Sequence, residues 1–266
     1  MTDHRSTSGL VEHESADQPL TDPMVLSAVG EDISKDVAFM WRWVLLAGAA
    51  GGWAGLLVGG ILGRIAMFVL RKTSGEFVNG IKSDDGFTIG RVSTSSLFLI
   101  MLTTVLGMIV GLVVVLARSQ LRGWLGGTLL VLAAGLFGAA EIIKPEGVDF
   151  NLLSPLPLAC AMFTAIPLGV IALTLVFAHR WRAWWWKSRG RTVVAMAPWV
   201  LALPAFFITV PAAIVSFAVG VAALRIRFVR RLLTNRVGQY VAAAITIVIL
   251  VMASSQLYSD IVEIVN

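Results

Sequence analysis

The residues able to do chemistry in this chain are few, and they stand at the margins of long apolar runs. Arg64, Arg71, Lys72, Asp84 and Asp85 close or follow the first run, and Glu141, Lys144, Glu146, Asp149 and Asn151 follow the third. Carboxylates beside guanidinium and ammonium groups can pair, line an aqueous vestibule, or supply an acid or a base to a bound substrate. The first of these asks least, because rim charges usually stay solvated; a cap held by ion pairs is the plainest reading of a joint cluster. Arg64, Glu141 and His179 fall at the ends of apolar runs, where a long side chain reaches the headgroup layer, and ionisable groups are nearly absent from the middle of any run. An intramembrane enzyme acting on lipid would need a convergent acid or base near Arg64, Asp85, Glu141 or Asp149.

Motifs that would carry more specific chemistry are missing. There is no HExxH, GxSxG or P-loop sequence, no GxGxxG following a strand, and no CxxC pair. The one cysteine, Cys160, lies inside the fourth run and reads as a small buried hydrophobe, so neither a disulfide framework nor a thiol metal site is expected. No metal, no cofactor and no enzymatic activity follow from these residues.

A second constellation combines charge with indole. Arg180, Trp181, Arg182, Trp184, Trp185, Trp186, Lys187, Arg189 and Arg191 form a connection with five positive charges and no negative one. Several cations beside a span attract anionic phospholipid headgroups at about 1 kcal/mol each, and the same residues anchor orientation; the two roles are compatible. The net charge of +5 does not point to nucleic acid, because the basic residues flank apolar runs instead of lining a soluble face.

Glycine supplies the third pattern. Gly51, Gly55, Gly59 and Gly63 recur every fourth residue, with Gly48, Gly52 and Gly60 beside them, and Gly107 and Gly111 repeat the step once. On a helix this spacing makes a bare stripe that lets another backbone approach. The stripe serves either self-association, as a homo- or hetero-oligomer, or packing within the chain. The second is favoured, because several spans offer internal partners first.

The elements that must hold these residues follow from composition. Of 266 residues 57% are hydrophobic and 14% charged, against about 25% charged in a soluble domain. About 20 consecutive apolar residues cross a bilayer as a helix, because no water is available there to satisfy the backbone. The expectation is an all-α, polytopic transmembrane bundle with about six apolar segments, near 43–66, 94–117, 123–143, 156–179, 194–224 and 238–259. Residues 41–259 make up this domain and 260–266 a short tail. The fifth run contains Pro198, Pro204 and Pro211, each able to break a helix. It is either one kinked, tilted span or a re-entrant element returning to the side it came from.

Residues 1–40 are polar and carry no signal-peptide pattern, so the first span is expected to be retained. The tail reads as largely disordered, with Val25, Val29, Ile33 and Val37 suggesting a short amphipathic helix near the membrane. The Arg180–Arg191 connection is the strongest vote for cytoplasm and places the N-terminus there too, while loops one and three share the outer face. Within loop one, Phe77–Ile81 and Phe87–Val92 read as short extended pieces about an Asp84-Asp85-Gly86 turn.

Two loop segments carry a resemblance: Gly63-Arg64 with Asp85-Gly86-Phe87-Thr88-Ile89-Gly90, and Asp149-Phe150-Asn151-Leu152-Leu153-Ser154-Pro155. They resemble bacterial, largely actinobacterial, multi-pass membrane proteins without an assigned activity. The resemblance covers the chain from about Trp43 onward and implies that the two outer loops belong together. The leading functional expectation is a non-enzymatic packing or scaffold component in the plasma membrane, such as a small subunit of an envelope complex. The alternative is a small-solute transporter or channel built on the fifth segment.

Overall fold

The computed structural model describes residues 33–74, 94–121, 123–145, 147, 154–185, 189–205, 211–219 and 236–265. Among them every regular element is helical. The chain begins with one unbroken rod: α1 (Ile33–Ala54), a π-helical stretch (Gly55–Leu62) and α2 (Gly63–Ser74). There follow α3 (Thr94–Gln120), α4 (Gly123–Ile142), α5 (Leu156–Arg182), α6 (Arg189–Ala195), α7 (Ala197–Leu201), a 3-10 turn (Leu203–Ala205), α8 (residues 211–219) and α9 (Arg236–Val265).

Five helices are long and apolar enough to cross a membrane: Val37–Ser74, Leu97–Gln120, Gly123–Ile142, Leu156–Arg182 and Arg236–Val265. Five, against the six apolar segments expected, meet this condition among the described residues. The fifth expected segment, 194–224, is made of short helical pieces over its described part. Pro198 lies in the first turn of α7, Pro204 in the 3-10 turn and Pro211 at the start of α8. Proline lacks the amide proton that an interior helical position needs, and the first turn is where that lack matters least.

The first helix runs further than its apolar run. Arg64 does not end it: α2 continues to Ser74, burying Ala66, Leu70 and Ser74 on one face. Their four-residue spacing is an amphipathic signal, and a single charge ends an apolar run without ending the helix. Ile33 and Val37 belong to α1, whereas Val25, Val29 and the two extended pieces expected in loop one lie outside the described residues.

Glycine sets the packing of the first rod. A Cβ added to Gly51 would lie 2.7 Å from the Cα of Gly111, one on Gly107 would lie 2.8 Å from the Cα of Gly55, and one on Gly111 would lie 2.8 Å from the Cα of Gly51. The stripes of α1 and α3 therefore face each other inside the chain at a separation only glycine permits. Gly59 and Gly60 continue the seam against Thr103 and Ile100. The π stretch lies within this seam; its last donor, the Gly63 N–H, points to the carbonyls of Val58 and Gly60. Across the bundle, Gly138 receives Pro167 and Gly135 receives Leu168, joining α4 to α5.

Contacts at the two ends of the bundle fix the helix directions. At one end Val44, Ala47, Leu112, Val115 and Ala178 pack together beneath Trp43, Trp181 and Phe217. This end is called the Trp pole below. Ala242 and Ala243, near the start of α9, lie against the cluster of Leu121, just past α3, and Leu130, in the first half of α4. At the opposite pole Leu257 joins Leu70, Ile143 and Ala159. Helix α9 thus starts near the Trp pole and runs to the other one.

Candidate functional site

The opposite pole gathers part of the charged cluster. Leu70 and Ile143 share a buried cluster, which brings Arg71 and Lys72 in the last turn of α2 to the same end as Glu141 and Lys144. A tighter link comes from two serines. Ser74 Oγ accepts the N–H of Ser154 at 2.7 Å and lies 2.7 Å from the Leu70 carbonyl, to which it donates. The residue closing α2 is thereby tied to the residue two positions before α5. Asp84, Asp85, Glu146, Asp149 and Asn151 lie outside the described residues.

The electrostatics of the described part are those of a surface. Lys144 Nζ is 3.9 Å from Glu141 Oε2, with both side chains largely exposed, a separation and setting in which an ion pair contributes little. Lys72 Nζ lies 5.9 Å from the centre of the Phe68 ring, a cation–π contact on the same helix face. Arg64 differs from the expected position at a span end. It lies near the start of α2, well short of Ser74, and its Nε and Nη2 atoms are shielded from solvent.

Asp260 was not singled out by the sequence. Its Oδ2 is shielded and has no hydrogen-bond partner among the described residues. Ile261 and Ile264 beside it pack against the cluster of Leu70, Ala139 and Ile143. The signal was available: Leu257, Ile261 and Ile264 continue the helical apolar spacing of α9 past Ser259, so the helix carries Asp260 with it.

At the Trp pole the aromatic residues turn inward. Trp185 is 6% exposed and packs with Leu45, Leu46, Ala49 and Ala195, whereas its place in a lipid-facing set would leave it open. Trp181 stacks on Phe177 at 4.7 Å and on Trp185 at 6.3 Å, and Trp184 leans on both indoles. An indole suits a headgroup layer and a core equally, and here packing takes it. The Arg182 guanidinium lies 5.7 Å from the Trp43 ring centre, joining α5 to α1. Arg180 and Arg191 are exposed, as are Arg42 within α1 and Arg236 opening α9. Trp186 and Lys187 lie outside the described residues, and Arg189 opens α6.

Arg118 closes the turn between α3 and α4. Its Nη1 donates to the Leu121 carbonyl and its Nη2 to that of Gly123 at 3.0 Å. A cation there satisfies main-chain carbonyls of the short connection between the two helices. Gly123 has φ +75°, a left-handed conformation that favours glycine.

Next to this pole, the short pieces of the fifth run are fixed to α1. The Trp199 indole donates to the Leu45 carbonyl at 3.3 Å, and the Trp53 indole donates to the Ala195 carbonyl at 3.2 Å. Trp199 covers Gly48 and Pro198 covers Gly52. The glycines of α1 thus form two stripes, one for α3 and one for this segment. Ala202 is buried beside Val105 and Met108, and Trp41 meets Phe217 edge-on.

No group of three metal-ligating side chains occurs among the described residues. What the two poles present is charge and hydrogen-bonding capacity. Comparison of the chain with protein-family models, curated proteins and solved structures finds no match.

Proposed function

We propose that this chain is a multi-pass plasma-membrane protein of five spans and one re-entrant element, acting without catalysis as a packing or scaffold subunit of a bacterial envelope complex. The observation that supports this topology is where the described pieces of the fifth run pack. Trp185, before the run, packs on Leu45 and Leu46, and Phe217, late in it, packs on Trp41. Between them Ala202 lies beside Val105 and Met108, further from that pole on α3. Helix α9 then starts near the same pole, which makes an odd number of crossings consistent with the helix directions.

Charge supports the orientation. Among the described residues beyond Asp36, Arg42, Arg118, Arg180, Arg182, Arg189, Arg191 and Arg236 lie toward the Trp pole, and Glu141, Asp260 and Glu263 toward the other. The positive-inside rule then puts the Trp pole and the N-terminus in the cytoplasm and the end of α9 outside. Exposed Arg42, Arg180, Arg191 and Arg236 meet anionic phospholipid headgroups there.

The scaffold reading draws on α9, which leaves Val241, Ile245, Val248 and Met252 open along its length. Reporter fusions after residue 224 and at the C-terminus test the topology. A cytoplasmic first fusion with an external second is expected, and the same side for both defeats it. Crosslinking followed by blue-native electrophoresis tests assembly; a strict monomer with nothing co-purifying removes the scaffold role.

One feature favours a second reading as a transporter or channel. A re-entrant element whose described apex lies beside Met108 has the form of the broken helices that build midplane sites. Cysteines at Pro204 and Pro211 that never react with aqueous reagents would remove it.

A further inference from the structure

The Trp pole is where α1 begins, so the segment preceding α1 enters the bundle there whichever side of the membrane that pole occupies. The two carry opposite charge. Residues 1–32 contain seven Asp and Glu residues against one Arg. The pole facing them exposes Arg42 on α1, Arg180 at the end of α5, Arg191 in α6 and Arg236 opening α9. Helices α5 and α6 both pack against α1, so Arg42, Arg180 and Arg191 stand on elements that meet at the pole to which α1 leads back.

We propose that the acidic N-terminal segment, residues 1–32, docks on the exposed arginines of the Trp pole as a tethered ligand. Reach is no obstacle, since 32 residues have a contour length of roughly 110 Å, and tethering supplies a local concentration on the order of millimolar. Attraction between exposed charges is weak pair by pair and gains from number and tethering. Docking of this kind competes with anionic headgroups for the same arginines, which makes the segment a built-in regulator of how much of the pole lipid can occupy. Its partner is the same chain, and salt weakens the contact because screening shortens to about 3 Å at 1 M.

The test uses the full chain in phosphatidylcholine nanodiscs, with spin labels at Ser15→Cys and Ala183→Cys in a Cys160→Ala background, or Cys160→Ser if the first is unstable. Ala183 is exposed in the turn after α5. Electron–electron distance measurement is expected to give a short-distance population at low salt that falls at least about twofold in 1 M salt. It should fall equally when the seven acids of residues 1–32 become their amides, with the thermal midpoint of the bundle unchanged. Dilution with unlabelled protein should leave it intact. A distribution indifferent to salt or to the amide variant overturns the proposal. A short population that disappears on dilution overturns it too, since the contact would then run between copies.

Discussion

The indole N–H of Trp199 donates to the main-chain carbonyl of Leu45 at 3.3 Å while its ring lies over Gly48. One side chain thus both fills the bare face of α1 and binds its backbone. The absence of a Cβ at Gly48 is what admits the ring, so the glycine and the tryptophan act as a single joint.

Trp199→Phe is expected to keep most of the filling and lose the hydrogen bond, at about 1 kcal/mol. Trp199→Ala loses both and should cost about 3–5 kcal/mol. Thermal unfolding in detergent, followed by tryptophan fluorescence and by aggregation, ranks the two. Equal midpoints would show that the joint contributes nothing.

Glycines in the first rod should differ sharply from one another. Gly107→Ala places a methyl 2.8 Å from the Cα of Gly55, where backbone must move, and a loss of about 1–3 kcal/mol is expected. At Gly63 the nearest atoms are 3.8 Å away. Gly63→Ala should therefore be neutral, or stabilising by up to about 1 kcal/mol through helix propensity. Thermal midpoints of the two variants in one detergent check the contrast, and the reverse order would contradict the seam.

Ser74→Ala removes the acceptor of the Ser154 N–H. A loss of about 1–2 kcal/mol is expected, with faster hydrogen exchange at the Ser154 amide in the intact protein. Unchanged exchange at that amide would mean that the serines do not tie the two chain segments.

Arg118 and Glu141 test which charges matter. Arg118→Ala leaves two carbonyls at the α3–α4 turn without their guanidinium and should lower stability by about 1 kcal/mol. Glu141→Gln touches only a long, exposed pair and should stay within about 0.5 kcal/mol. Denaturant or thermal titrations of both in the same detergent distinguish them.

Run length in the sequence carried four of the spans closely. The expected segments 94–117, 123–143, 156–179 and 238–259 overlie α3, α4, α5 and α9, because an uncharged run long enough to cross a bilayer has little alternative to a helix. The first span was read as ending near residue 66, since hydropathy treats nearby charges as an end while the helix continues to Ser74. The same error hid Asp260, which lies beyond the apolar run but within α9. The fifth run had the length of a span, and no one-dimensional count could weigh Trp199 and Pro198 against Gly48 and Gly52. Trp185 was misplaced for a related reason: an indole next to arginines looks the same whether it faces lipid or core.

Synthesis order gives the Trp199–Leu45 joint a further meaning. The partners are 154 positions apart, so at translation rates of about 5–20 residues per second α1 emerges roughly 8 to 30 seconds before the segment that covers its second glycine stripe. During that interval Gly48 and Gly52 offer a narrow unoccupied face to any neighbouring helix. Biogenesis of this protein therefore includes a period of exposure to mispairing that ends only when the ribosome has passed Trp199.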